Sequence, residues 1–439
     1  MRRPPWQESA AGEGLVLLHE DRNDLPTVHR AEDPDVSPPE VVEGTSPKAP
    51  AAAAPAPLTT PWRHWFRAWG PAWLVMIADV DAASILTGVE SGVAYRYDLI
   101  WFLVALVVPL FVIQEAAGRI GAVTRKGLGE IVREAHSRPV SVAIAFPAAV
   151  ADVAIYVAEY AAVGLALGIF GVPLYLSLPS AFALHIGLVA RGRYVWIERI
   201  LLAVSAVLIV TVGSALLLRG VLPYTPVYLS GAPSFVFLLA ANAGAVVMPF
   251  MLFFQTSATA EKPGSTVRSV RRETLVGAIM SEALMVAFVM LGAGMPASTD
   301  LFTTSGVAAA LATVGGPLVP YAFAVGLVAA AFLALVVISL GSAWGVTEAV
   351  GLPRSRAFWV YALESVPAVV VPFLYPHPLA LVLDLMVVMV FVLIGPGVLI
   401  GVVASDRRLL GEHASRGAWR TGYWVSLGAV VLCGILALL

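Results

Sequence analysis

From residue 70 to the C-terminus, apolar runs of about 20 residues follow one another, separated by short polar connections. Each run is long enough to cross the hydrocarbon core of a bilayer as a helix. No other feature restricts the fold as strongly. The composition agrees: 59% of the 439 residues are hydrophobic and 13% are charged, with a mean hydropathy of +0.84, whereas a soluble domain has about 25% charged residues. The expected class is an all-α polytopic membrane protein. Eleven spans are expected, at roughly 70–93, 99–118, 140–170, 173–190, 200–218, 234–257, 274–296, 320–348, 357–374, 378–403 and 421–438. The single cysteine, Cys433, falls in the last of them, so an intrachain disulfide is excluded.

Residues 1–60 have a different character. They contain EDPDVSPPE and APAAAAPAP, with ten acidic and five basic side chains. This composition predicts a disordered tail, with no apolar h-region of a signal peptide. The expected organisation is therefore a cytoplasmic tail, 1–60, and a transmembrane domain, 61–439. Basic residues set the orientation. Loops after the second, fourth, sixth, eighth and tenth spans hold 18 of the 27, counting Arg119 at the end of the second span. Loops on the other side hold Arg96 and Arg219, and seven precede the first span. The expectation is a multi-pass protein of the inner (plasma) membrane, N-terminus cytoplasmic and C-terminus outside. The net charge of −2 gives no sign of a nucleic-acid partner.

Ten acidic residues fall within the expected spans: Asp79, Asp81, Glu90, Glu115, Asp152, Glu159, Glu282, Glu348, Glu364 and Asp384. No span core contains Lys or Arg, so ion pairing is not expected to neutralise them. A bound cation or a proton is. Two spans also carry a break. The first is interrupted at Asp81-Ala82-Ala83-Ser84, and the sixth carries Pro249 about one turn after Gly244. Proline removes a helix hydrogen bond. Unwound backbone at membrane depth is tolerated where it lines a cavity or binds an ion. Broken helices in corresponding positions of two inverted halves point to a transporter's midplane site. The physical proposal is a divalent cation held by Asp81, by carbonyls near Ala78 and Ala245, and by Met248. Carboxylate and carbonyl oxygens suit hard ions such as Mg²⁺; a thioether shifts the preference to Mn²⁺ or Fe²⁺.

At these residues the sequence resembles the Nramp family of divalent-metal transporters, over about residues 65–439. Family members have a DPGN motif in the first helix and MPH in the sixth. Here the motifs read Asp81-Ala82-Ala83-Ser84 and Met248-Pro249-Phe250. GPAW, QEAAGRIG, RYVWIER and SDRRLLG fit in the expected order. The resemblance implies a LeuT-type fold of five-plus-five inverted repeats and one extra helix, and a transported metal ion rather than a resident cofactor. It assigns Asp81 as the metal-binding aspartate, Ser84 in place of a ligand asparagine, the Ala245 carbonyl and Met248 as ligands, and Glu159 to the proton route. Two positions depart. Tyr156 stands where the third helix has an aspartate, and Phe250 where the sixth has a histidine. Both belong to the proton region, so weakly coupled or uncoupled movement is expected, with Asp152 as a substitute. Met386 falls near a tenth-helix glutamine. Asp79, with Gly244 and Met386, is expected around the site or in its vestibule. The string Ala78-Asp79-Val80-Asp81 resembles a divergent branch that includes the Nramp-related magnesium transporters.

The expected function is import of divalent metal ions by alternating access, Mn²⁺ or Fe²⁺ ahead of Mg²⁺. An organic-solute symporter of the same fold is the rival, though Asp81 would repel a substrate carboxylate. An intramembrane metalloenzyme would need a histidine pair with ligand spacing; only His185 lies in a span.

Overall fold

The computed structural model describes residues 70–190, 225–301, 303–375 and 380–439. The expected tail, the expected fifth span and the RYVWIER stretch lie outside the described residues. Among the described residues every regular element is helical. The first span is a bent pair, α1 (Pro71–Ala78) and α2 (Ala82–Tyr95), turning by 47° across three residues. It is followed by α3 (Ile100–Thr124), the short α4 (Leu128–Ala135), α5 (Arg138–Ile169) and α6 (Leu174–Ala190). The second half comprises α7 (Pro233–Val246), α8 (Pro249–Glu261), α9 (Val267–Ala293), α10 (Thr304–Gly315), α11 (Val319–Val350) and α12 (Ala357–Leu374). The chain ends with α13 (Ala380–Val392), α14 (Ile394–Ser405), α15 (Arg407–Leu410) and α16 (Ala418–Ala437).

Eight described stretches are long and apolar enough to cross a bilayer, and the α1–α2 pair brings the number to nine. The expected fourth span is α6, an apolar helix of 17 residues. The first break lies at Asp79-Val80-Asp81 rather than at residues 81–84, because Ala82, Ala83 and Ser84 form the first turn of α2.

Helices α7–α8 and α11 occupy the centre. Their most apolar windows are 83% buried, against 28% for α12 and α16 at the periphery. Between two helices in lipid, small residues allow close backbone approach. Helix α9 follows the first span on this principle. A Cβ at Gly92 would meet the Val289 carbonyl, one at Gly292 the Val89 carbonyl, and one at Gly277 the Met76 side chain.

The expectation that no ion pair reaches the intramembrane acids is corrected at two of them. Glu115 Oε2 pairs with Arg119 Nε at 3.2 Å and Glu115 Oε1 with Arg271 Nη2 at 2.9 Å. Glu348 Oε1 pairs with Arg354 Nη2 at 3.0 Å. The arginines sit at or just beyond span ends, and their long side chains reach inward to carboxylates a turn or more away. Asp384 is exposed on α13. Asp79, Asp81, Asp152, Glu159 and Glu282 are buried, and no described ion pair reaches them.

Gly292→Ala should therefore destabilise the helix pair by about 1–3 kcal/mol, since its Cβ meets backbone that cannot yield as a side-chain tip would. Gly428→Ala, with open space around it, should not. Thermal unfolding of the detergent-solubilised variants measures both.

Candidate functional site

The site starts with a helix that stops and restarts. Helix α1 ends at Ala78 and α2 begins at Ala82, with Asp81 at the N-cap. A helix start leaves backbone N–H groups without intrahelical acceptors. Two carboxylates take them. Asp81 Oδ1 accepts from the Ser84 N–H at 2.8 Å. Glu159 of α5 accepts from the Ala82 N–H, at 3.1 Å to Oε1 and 3.4 Å to Oε2. In an unbroken helix the Ala82 N–H would bond to the carbonyl of Ala78, four residues back. Its turn to Glu159 withdraws that partner from Ala78. The second oxygen of Asp81, Oδ2, is buried and has no hydrogen-bond partner among the described residues.

The second break uses proline. Helix α7 ends at Val246, Val247 and Met248 are extended, and Pro249 opens α8. Proline at the first helical position fits a helix start. Having no N–H, Pro249 cannot bond to the carbonyl four residues back, which is that of Ala245. Ser84 Oγ donates to this carbonyl at 3.5 Å and so joins the two breaks. Met248 caps α8 and is fully buried; its N–H donates to Met251 Sδ at 3.4 Å. Gly244 lies against the backbone of α13, where a Cβ would collide with the Met386 carbonyl.

The first, third, sixth and tenth spans thus converge. Around the two breaks stand one free carboxylate oxygen, two carbonyls released from helix bonding, a hydroxyl and a buried methionine. Among the described residues no three His, Cys, Asp or Glu side chains converge on a metal position. A cation here relies on backbone oxygen and a single principal carboxylate. On the α2 side of Ala82 lies an apolar cavity of about 40 Å³, bordered by Ile85, Val89, Leu165, Leu301 and Phe323. Its volume is about that of one water molecule.

Of the residues expected from the sequence, Asp81, Ser84, Ala78, Ala245 and Glu159 surround the breaks, with Met248, Gly244 and Met386 beside the second. Two expected residues are engaged elsewhere. Asp79 is held by α9, where Ser281 Oγ donates to its Oδ2 at 2.7 Å. Asp152 lies one to two turns before Glu159, near Ser342 and Glu364. Ser342 Oγ donates to Glu364 Oε1 at 3.0 Å. Between Asp152 and Glu159 the face of α5 carries Tyr156, whose hydroxyl donates to Ser339 Oγ at 2.9 Å. His185 bridges Ser339 Oγ, at 2.8 Å from Nε2, and the Tyr160 hydroxyl, at 2.7 Å from Nδ1. Ser281, Ser339 and Ser342 drew no attention in the sequence. For Ser281 the available signal was its place beside Glu282; Ser339 and Ser342 have no acid within one turn in the sequence.

Comparison with known proteins gives a family. The family model described as natural resistance-associated macrophage protein-like, Nramp, matches residues 72–439. A divalent metal cation transporter, MntH, of Pediococcus pentosaceus is 24% identical over 86% of this chain and 92% of its own. The metal transporter Nramp6 of Arabidopsis thaliana is 31% identical over 27% of this chain, a segment that is 22% of the plant protein. Among solved structures, the Eremococcus coleocola manganese transporter in complex with an aromatic bis-isothiourea compound superimposes with a TM-score of 0.72. The match covers 87% of this chain and 88% of that one at 18% identity. The nucleobase-cation-symport-1 family transporter MHP1 gives a TM-score of 0.52 at 16% identity, covering 84% and 92%.

Asp81→Asn separates the two roles of this side chain. The amide oxygen still accepts from Ser84, so the cap survives and unfolding should shift by less than the roughly 1 kcal/mol that loss of a cap costs. The charge is lost, and equilibrium binding of Mn²⁺ should weaken beyond the 10–100-fold typical of losing an outer partner.

Proposed function

The chain belongs to the Nramp family, and on that premise we propose that it imports divalent metal ions across a membrane by alternating access. One observation supports the reading above all: two helix breaks, joined through Ser84 and Ala245, set acceptor oxygens around the partnerless Oδ2 of Asp81. Such a site attracts a cation and repels an anion. A substrate carboxylate would face Asp81 directly, so the organic-solute symporter is disfavoured.

Asp81 supplies the main charge. Ser84, Met248 and the carbonyls of Ala78 and Ala245 complete the shell with water. A thioether lowers the relative cost of a transition metal over Mg²⁺, so the cargo is Mn²⁺ or Fe²⁺ ahead of Mg²⁺. The alternative cargo, Mg²⁺, gains support from Asp79, Asp81 and the small residues Ala82, Ala83 and Ser84, which make a roomy, oxygen-rich site. The ion is cargo, and the chain is a transporter rather than an enzyme.

Glu159 is bound to the backbone of the break. Any proton that reaches it alters the same hydrogen bond that opens α2. Beyond it, Tyr156 and Phe250 offer no carboxylate or imidazole at the positions noted in the sequence. Movement is therefore weakly coupled or uncoupled and follows the membrane potential. The transporting unit is residues 61–439, and the preceding tail is dispensable. Its location is the plasma membrane, with the N-terminus inside.

The test is influx into proteoliposomes, with Mn²⁺ and Mg²⁺ side by side. The wild type should favour Mn²⁺, and Met248→Ala should lose that preference while retaining Mg²⁺ flux. Equal passage of both ions, unchanged in Met248→Ala, would replace this reading with the magnesium one. Metal-driven acidification of the vesicles, lost in Glu159→Gln, would refute uncoupled movement.

A further inference from the structure

Asp79 and Asp81 flank a single residue, Val80, yet different helices hold them. Asp79 caps the end of α1 and receives the Ser281 hydroxyl of α9 on Oδ2. Its Oδ1 is buried and without a hydrogen-bond partner among the described residues. The next residue on α9, Glu282, is 1% exposed, and neither of its carboxylate oxygens has a hydrogen-bond partner there. Glu282 lies within electrostatic reach of Asp79. The described ion pairs leave both unneutralised.

Close packing brings these groups together. Gly277, one turn before Ser281, lets α9 lie on the Met76 side chain of α1. Ser281 continues the face of α9 that starts at Gly277 and so reaches the end of α1, and Glu282 follows it by one residue. The carbonyl end of a helix carries partial negative charge, which adds to that of the two carboxylates. Among the described residues no ion pair balances it. Buried charges persist where they are paired or bind a metal.

We propose that Asp79, Ser281 and Glu282 form a second divalent-cation site, on the α1 side of the break. Its donors are Asp79 Oδ1, both oxygens of Glu282 and Ser281 Oγ. All are oxygen, the set that hard divalent ions take. Two carboxylates match the charge of one such ion. The site is distinct from the Asp81 site in its helices and its donors, since α9 contributes nothing to the latter and the former is built from carboxylates and a hydroxyl. It rests on the reading of the first break as a cation route, and with the N-terminus inside it gives the cargo an exit position two residues before Asp81 in the chain.

The test is the number of Mn²⁺ ions bound by the purified full-length chain, measured by equilibrium dialysis with radioactive manganese. The expected result is two ions for the wild type, one for Glu282→Gln and one for Asp81→Asn. Ser281→Ala, which removes only the orienting hydroxyl, should weaken one of the two by about tenfold. Manganese anomalous scattering from wild-type crystals should show a peak between Asp79 and Glu282 beside the one near Asp81, and this needs no variant to fold. A single ion on the wild type, or equal stoichiometry in Glu282→Gln, overturns the second site and leaves the first intact. Unchanged stoichiometry in Asp81→Asn, with loss of one ion in Glu282→Gln, overturns the first and retains the second.

Discussion

The site depends on how backbone donors are satisfied where a membrane helix is interrupted. An unsatisfied backbone group in hydrocarbon costs several kcal/mol. At the first break, two freed N–H groups are met by carboxylates, Ala82 by Glu159 and Ser84 by Asp81. At the second, Pro249 removes the donor altogether. The two solutions differ, but they leave the same remainder. The Ala78 and Ala245 carbonyls are left without their helix partners. A cavity with acceptors in excess of donors favours a cation over an anion or a neutral donor. The selectivity of the site for charge sign therefore follows from the way the breaks are stabilised.

The acids of the membrane domain fall into two groups by position. Two of those near span ends, Glu115 and Glu348, are neutralised by arginine. Glu115 is shared by Arg119 and Arg271, and Arg119 also reaches Ser415 Oγ at 2.8 Å, while Arg354 joins Glu348 to Glu261. These pairs tie α3 to α9 and α8 to α11. Among the described residues, the deeper acids that have a hydrogen-bond partner meet only serine or backbone. The structural work of the first group and the ion chemistry proposed for the second do not overlap, so loss of a span-end pair and loss of a mid-span carboxylate should differ in kind.

Much of this was legible in the sequence. The apolar runs gave the class, and the degenerate motifs located the second break and placed the first slightly late, at 81–84 instead of 79–81. Asp81, Ser84 and Ala245 do come together, because a broken helix fixes the position of its own neighbours. What failed to show was anything that depends on which helix lies opposite. Asp79 reads as part of the same string as Asp81, yet the glycine contact between α1 and α9 assigns it to Ser281. Asp152 reads as a relay toward Glu159, yet it faces Ser342 and Glu364 from α11 and α12. The arginine pairs were missed because counting charges within span boundaries ignores the reach of an arginine side chain. Helix periodicity tells which residues share a face, but not which helix that face meets.

The two proposed sites also divide the problem of selectivity. Between Asp79 and Glu282 every donor is oxygen, and oxygen ligands separate Mn²⁺ from Mg²⁺ only weakly through size and hydration. At the Asp81 site the thioether of Met248 adds a donor that Mg²⁺ cannot use well. An imported ion would meet the thioether beside Asp81 first and oxygen alone afterwards, sorted by softness and then held by charge. With the N-terminus inside, α1 is the inner half of the first span, so Asp79 lies on the exit side of Asp81. Selection among divalent ions must then lie on the α7–α8 side of the break, and no change at Asp79, Ser281 or Glu282 should alter which metal is preferred.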